Sequence, residues 1–67
     1  MSQEQALKLL LEFVGRFDTK TAALVELNSI LYTRYDIKRL GQWRRGQQKI
    51  PGLVIGFLTG VSELLKD

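Results

Sequence analysis

Apolar positions along the chain recur at three- and four-residue spacing in four separate stretches. In the first, Ala6, Leu9, Leu10, Phe13, Val14 and Phe17 repeat with the period of an α-helix, and Ser2 followed by Gln5 has the form of a capping box at its start. Leu7 and Leu11 widen that apolar face beyond what a surface helix normally shows. Asp18 or Thr19 can cap a second helix, continued on one side by Ala22, Ala23, Leu24, Leu27 and Leu31 and expected to weaken between Tyr32 and Tyr35. Asp36 can cap a third helix over residues 37–45, which Gly46 would stop. Gln47, Gln48 and Lys49 read as a polar loop, and Pro51 suits the first turn of a fourth helix. Its apolar side would be Leu53, Val54, Phe57, Leu58, Val61, Leu64 and Leu65. The run 53–58 mixes β-branched residues with glycine, so a short strand competes there. The spacing continues through 62–66, which favours the helix. The pattern predicts an all-α chain of four helices forming one domain over residues 1–67.

Composition narrows what such a domain can do. Sixty-seven residues leave no room for a linker and a second core. With 45% apolar and 25% charged residues the chain has an ordinary folding composition. It contains no Cys, hence no disulfide, thiolate nucleophile or Cys-based zinc site, and no His, the commonest catalytic base and metal ligand. Glu4, Glu12 and Glu26 belong to separate helical faces and suggest no acid/base pair. No phosphate-cradling glycine loop or cofactor motif is present. The expectation is a protein that is not an enzyme and holds no cofactor, metal or small-molecule ligand. Acidic residues stand where a signal peptide needs basic ones, and the longest apolar run is broken by Pro51 and glycines, so a cytoplasmic location without membrane insertion is expected.

The charge is unevenly placed. Residues 1–18 sum to −1 through Glu4, Glu12 and Asp18 against Lys8 and Arg16, and residues 50–67 also sum to −1. Between them, Lys20, Arg34, Lys38, Arg39, Arg44, Arg45 and Lys49 outweigh Glu26 and Asp36 and give +5. A concentrated basic segment in a chain of pI ≈ 9.6 is the electrostatic footprint of a nucleic-acid binder, although a solvated helical face would show the same charge.

A helical wheel of the third helix, at about 100° per residue, gathers Ile37, Leu40, Trp43 and Arg44 on one half and Lys38, Gly41, Gln42 and Arg45 on the other. The first half should pack on the core, with Trp43 as a packing residue. The second suits the DNA major groove. Glutamine can bond the N6 and N7 edge of adenine, and arginine or lysine the O6 and N7 edge of guanine. Lys38, Gln42 and Arg45 are therefore the candidate base contacts. Lys20, Thr21, Arg34, Arg39, Arg44 and Lys49 are the candidate phosphate contacts, which set affinity and register. Arg39 lies at the border of the two faces, where a surface ion pair is the other option. Ile37 would meet a thymine methyl if it faced outward, but its wheel position puts it with the core. Tyr32 and Tyr35 either plug the turn or carry a hydroxyl to a phosphate.

The stretch Asp36-Ile37-Lys38-Arg39-Leu40-Gly41-Gln42-Trp43-Arg44-Arg45-Gly46, followed by Lys49-Ile50-Pro51, resembles the recognition helix and following loop of Cro/repressor-type helix-turn-helix proteins. Phe17-Asp18-Thr19-Lys20-Thr21-Ala22-Ala23-Leu24 resembles the start of the motif's first helix in that family. The likeness covers roughly residues 17–55, and its W-x-x-G step is weak taken alone. Between Leu24 and Trp43 the chain is about five residues longer than the family pattern, and Arg34 stands where the turn glycine is usual. The resemblance implies an all-α, four-helix fold and sequence-specific binding of double-stranded DNA. It also implies a homodimer on a palindromic operator, and transcriptional repression of the kind that small phage-like and anti-CRISPR-associated autorepressors perform.

Two further surfaces suit self-association. Gly52, Gly56 and Gly60 form a stripe at four-residue spacing, each costing about 1 kcal/mol of helix propensity, which close approach of another helix would explain. Leu7 and Leu11 offer a second candidate dimer surface. The competing functional reading is a protein–protein module, antitoxin- or adaptor-like, that uses the apolar fourth helix. Structured-RNA binding is a third, and it lacks exposed aromatics for stacking.

Overall fold

The computed structural model describes residues 2–64, and these form four helices in the order α1 (Gln3–Val14), α2 (Lys20–Leu31), α3 (Ile37–Arg44) and α4 (Gly52–Leu64). No strand occurs among the described residues, so 53–58 is helical. Leu65 and Lys66, which the sequence pattern assigned to the last helix, lie outside the described residues.

Three of the helices begin where a side-chain oxygen replaces the missing carbonyl partner of a first-turn amide. Ser2 Oγ accepts from the Gln5 amide at 3.1 Å while Gln5 Oε1 accepts from the Ser2 amide at 3.2 Å, a complete capping box. Thr19, rather than Asp18, caps α2 by accepting from the Ala22 amide at 3.0 Å. Asp36 caps α3 through a 2.8 Å bond from the Arg39 amide. Before α4 stands Pro51, one position ahead of the helix rather than inside its first turn, with its carbonyl accepting from the Ile55 amide at 3.0 Å.

The ends are equally local in origin. α2 stops at Leu31 because Tyr32 takes the left-handed conformation (φ 56°, ψ 43°) and its amide turns back to the Asn28 carbonyl. α3 stops one residue earlier than the pattern predicted: Arg45 is its C-cap and Gly46, at φ 73°, turns the chain away.

The core takes Ala6, Leu10 and Phe13 from α1, Ala23, Leu24 and Leu27 from α2, Leu40 and Trp43 from α3, Ile50 from the following loop, and Val54 and Leu58 from α4. α1 packs against α4 and α2, and α2 packs against α3 and α4. Phe13 links the layers, with Phe17 at 5.1 Å and Phe57 edge-on at 5.4 Å between ring centroids. Burial of a side chain the size of Leu10 or Leu58 contributes about 1.5–3 kcal/mol, a large share for so small a domain.

Several positions face other than the spacing predicts. Ala22 is exposed, and the buried side of α2 runs through Ala23, Leu24 and Leu27 with Leu31 at its edge. Leu53 and Leu64 are exposed on α4, whose core side is Val54 and Leu58, flanked by Ile55, Phe57 and Val61. Ile37 is 46% exposed, although the wheel grouped it with Leu40 and Trp43. The reason is geometric. At about 100° per residue Ile37 lies roughly 90° from the midpoint between Leu40 and Trp43, at the margin of the strip that the core covers.

Candidate nucleic-acid interface

α3 is held from behind. Leu40 and Trp43 bury their side chains in the core, and the ring of Tyr35, just ahead of the helix, meets the Trp43 ring edge-on at 4.9 Å. The segment joining α2 to α3 is tied by Asn28. Its Oδ1 accepts from the Tyr35 amide at 3.0 Å and from the Thr33 hydroxyl at 2.8 Å, and its Nδ2 donates to the Tyr35 carbonyl at 2.8 Å. Tyr35 therefore plugs the turn. Tyr32, 95% exposed, does not. The left-handed residue of the connection is Tyr32 and not Arg34, the position where the family pattern has its glycine.

The loop after α3 is tied in the same manner. Gln3 Oε1 accepts from the Ile50 amide at 2.7 Å, and Gln3 Nε2 donates to the Ile50 carbonyl at 3.2 Å. The Gln42 carbonyl receives the amides of Gln47 at 2.8 Å and Gln48 at 3.3 Å, which closes the turn around Gly46. The segment ahead of α3 is thus tied by a side-chain carboxamide on α2, and the segment ahead of α4 by one on α1.

On its outer side α3 meets the first residue of α2 across an open cleft of about 300 Å³, lined by Lys20, Ile37, Lys38, Leu40, Gly41, Arg44 and Arg45. Among the described residues no carboxylate lines it, and all four charged lining residues are cations. The Arg45 guanidinium folds back over Gly41. A Cβ at position 41 would stand 3.0 Å from Nη1 and 3.4 Å from Nη2, and Arg45 Nε donates to Gln47 Oε1 at 3.3 Å. Glycine at 41 leaves the space that the guanidinium occupies.

The candidate residues separate into groups. Lys20, Lys38, Arg44 and Arg45 come together on the cleft. Gln42 is half-buried and does not line it, and Thr21 is exposed next to Lys20 at the start of α2. Arg34 is exposed in the connecting segment, and Arg39 is exposed on α3 outside the cleft. Lys49 borders a different hollow, shared with Gln3, Leu7, Trp43 and Ile50. Asn28 was not legible as a positioning residue, since its type gives no sign of a partner seven residues on, while Ile37, which the wheel placed with the core rather than facing outward, is exposed.

The glycine stripe faces open space, since a Cβ at Gly52, Gly56 or Gly60 would meet nothing within 4 Å. Leu11 is exposed on α1, while Leu7 packs partly against the core. Among the described residues no helix is long and apolar enough to cross a membrane, and no group of three His, Cys, Asp or Glu side chains could hold a metal ion.

No protein-family model, curated protein or solved structure matches this chain.

Proposed function

We propose that the chain is a Cro/repressor-type helix-turn-helix protein that binds double-stranded DNA sequence-specifically and regulates transcription, as a homodimer repressing from a palindromic operator. The observation that carries this reading is the cleft. Four cations from two helices converge, with no carboxylate among them, on the outward side of a helix whose other side is anchored by Leu40 and Trp43. A helix seated in this way can enter a major groove about 12 Å wide, with Lys38 and Arg45 toward base edges and Lys20 and Arg44 toward phosphates. Gln42 reads adenine from the flank of that face. Thr21, Arg34, Arg39 and Lys49 extend the phosphate contacts on either side.

Size supports the paired arrangement. A domain of 33 × 25 × 21 Å allows two copies side by side to set their third helices about 34 Å apart, one turn of DNA. The test is binding to duplex DNA upstream of the chain's own gene, with random DNA as competitor, over a range of salt. Gln42→Ala should cost about 1–3 kcal/mol on the cognate site and relax specificity at one base pair. Lys49→Ala should weaken all sequences alike and lower the salt slope by about one. Loss of equal size on cognate and random DNA would remove Gln42 from base reading.

One observation favours a second reading, a protein–protein module. The outward side of α4 presents Leu53, Leu64 and three glycines with nothing packed on them among the described residues. That reading expects a stable mixed complex and no salt-dependent retention on DNA.

A further inference from the structure

We infer that Ile37 is a specificity-determining residue, reading the C5-methyl of a thymine in the major groove. This rests on the DNA-binding reading and adds to it a base preference that the charged residues do not supply. Ile37 is the first residue of α3, and its side chain is nearly half exposed instead of joining Leu40 and Trp43 in the core. Partial exposure of one aliphatic residue is ordinary by itself. Its surroundings are not. The side chain lies in a cleft whose other lining residues are Lys20, Lys38, Arg44, Arg45, a glycine and the buried Leu40. Among the described residues Ile37 is the one exposed apolar side chain lining it.

Gly41 stands one turn further along the same side, and the space over it holds the Arg45 guanidinium. A helix docked in this geometry meets base edges through its N-terminal residues, which puts position 37 at the reading end. Major-groove edges offer hydrogen-bond donors, acceptors and a single apolar group, the thymine methyl. Lysine and arginine match the acceptors of guanine and the phosphates. An isoleucine in their midst matches only the methyl. Phosphate oxygens give an aliphatic side chain no partner, and backbone contacts carry no sequence information.

The experiment starts with selection of duplexes from a random pool by the full chain. Each thymine of the recovered site is then replaced singly by deoxyuridine, which removes the methyl and leaves base pairing intact. Affinities for wild type, Ile37→Ala and Ile37→Val are measured at one salt concentration. The inference expects one thymine per half-site at which uridine weakens wild-type binding about fourfold, the value of one methyl withdrawn from contact. Ile37→Ala should be indifferent to the same replacement, and Ile37→Val should lie between. The uridine series uses the wild-type chain, so it does not depend on a variant folding. A recovered site at which every uridine costs wild type and Ile37→Ala equally overturns the role of Ile37 and leaves DNA recognition standing. A pool that yields no preferred sequence and no salt-dependent binding overturns both.

Discussion

The side-chain amide of Asn28 brackets the backbone of Tyr35, accepting from its N–H at 3.0 Å and donating to its carbonyl at 2.8 Å. One side chain thereby satisfies both polar groups of the residue whose ring supports Trp43. The arrangement recurs at Gln3, which brackets Ile50 ahead of α4. Asn28→Ala removes three hydrogen bonds in a partly buried site and leaves backbone groups without partners. The expected cost is about 2–3 kcal/mol, read as a lower urea midpoint with an unchanged slope. Because the lost contacts position α3, DNA affinity should fall further than Lys49→Ala lowers it. A variant as stable as the parent would show that water replaces the amide without cost.

Tyr32 sits at φ 56°, ψ 43° with its ring 95% exposed. A side chain in that region costs about 1–2 kcal/mol, and the exposed ring recovers little through packing. Tyr32→Gly should therefore raise stability by about 1 kcal/mol, a rise of about 4–8 °C in melting temperature for a domain of this size. No gain would mean that the glycine's extra freedom in the unfolded chain cancels the relief of strain.

Gly41 lies inside α3, under the Arg45 guanidinium. Gly41→Ala improves helix propensity by about 1 kcal/mol, and the group it meets is the far end of a flexible side chain, which can shift at little cost. Thermal stability should rise while, on the proposed reading, DNA affinity drops, because the guanidinium is displaced from its resting place over position 41. Opposite signs in the two measurements are the expected result. Parallel gains would remove Gly41 and Arg45 from the interface.

On α4, Gly56 has nothing within 4 Å of where a Cβ would be. Gly56→Ala should stabilise the dilute chain by about 1 kcal/mol. If copies meet across the glycine stripe, the same change should weaken self-association in sedimentation, since the added methyl holds the helices apart. An unchanged association constant would exclude the stripe as the dimer contact.

The local signals in the sequence were strong where a residue's neighbours along the chain decide its state. Ser2 with Gln5, the pair Asp18 or Thr19, and Asp36 announced three helix starts, and Gly46 the stop after α3, because capping acts within one turn. Trp43 and Leu40 were legible as core and Lys38 and Arg45 as outward, since helical periodicity assigns faces directly. The distribution of Lys, Arg, Asp and Glu along the chain locates the basic segment without any geometry.

What periodicity could not assign is how wide the covered strip on each helix would be. Ile37, Ala22, Leu53 and Leu64 all fall at its margin, and whether such a residue is buried depends on the neighbouring helix and its angle. Nor does spacing reveal a bond between residues 47 positions apart, as between Gln3 and Ile50, because chain folding alone brings them together. The sequence by itself pointed to four helices, to the candidates for their caps, and to Lys38 and Arg45 on the outward side of α3. The tertiary structure decided that Lys20 and Arg44 join Lys38 and Arg45 on one cleft, that Ile37 stands exposed within it, and that carboxamides tie the segments ahead of α3 and α4. Capping and periodicity act within a few residues, whereas burial and convergence are set by which helices pack together.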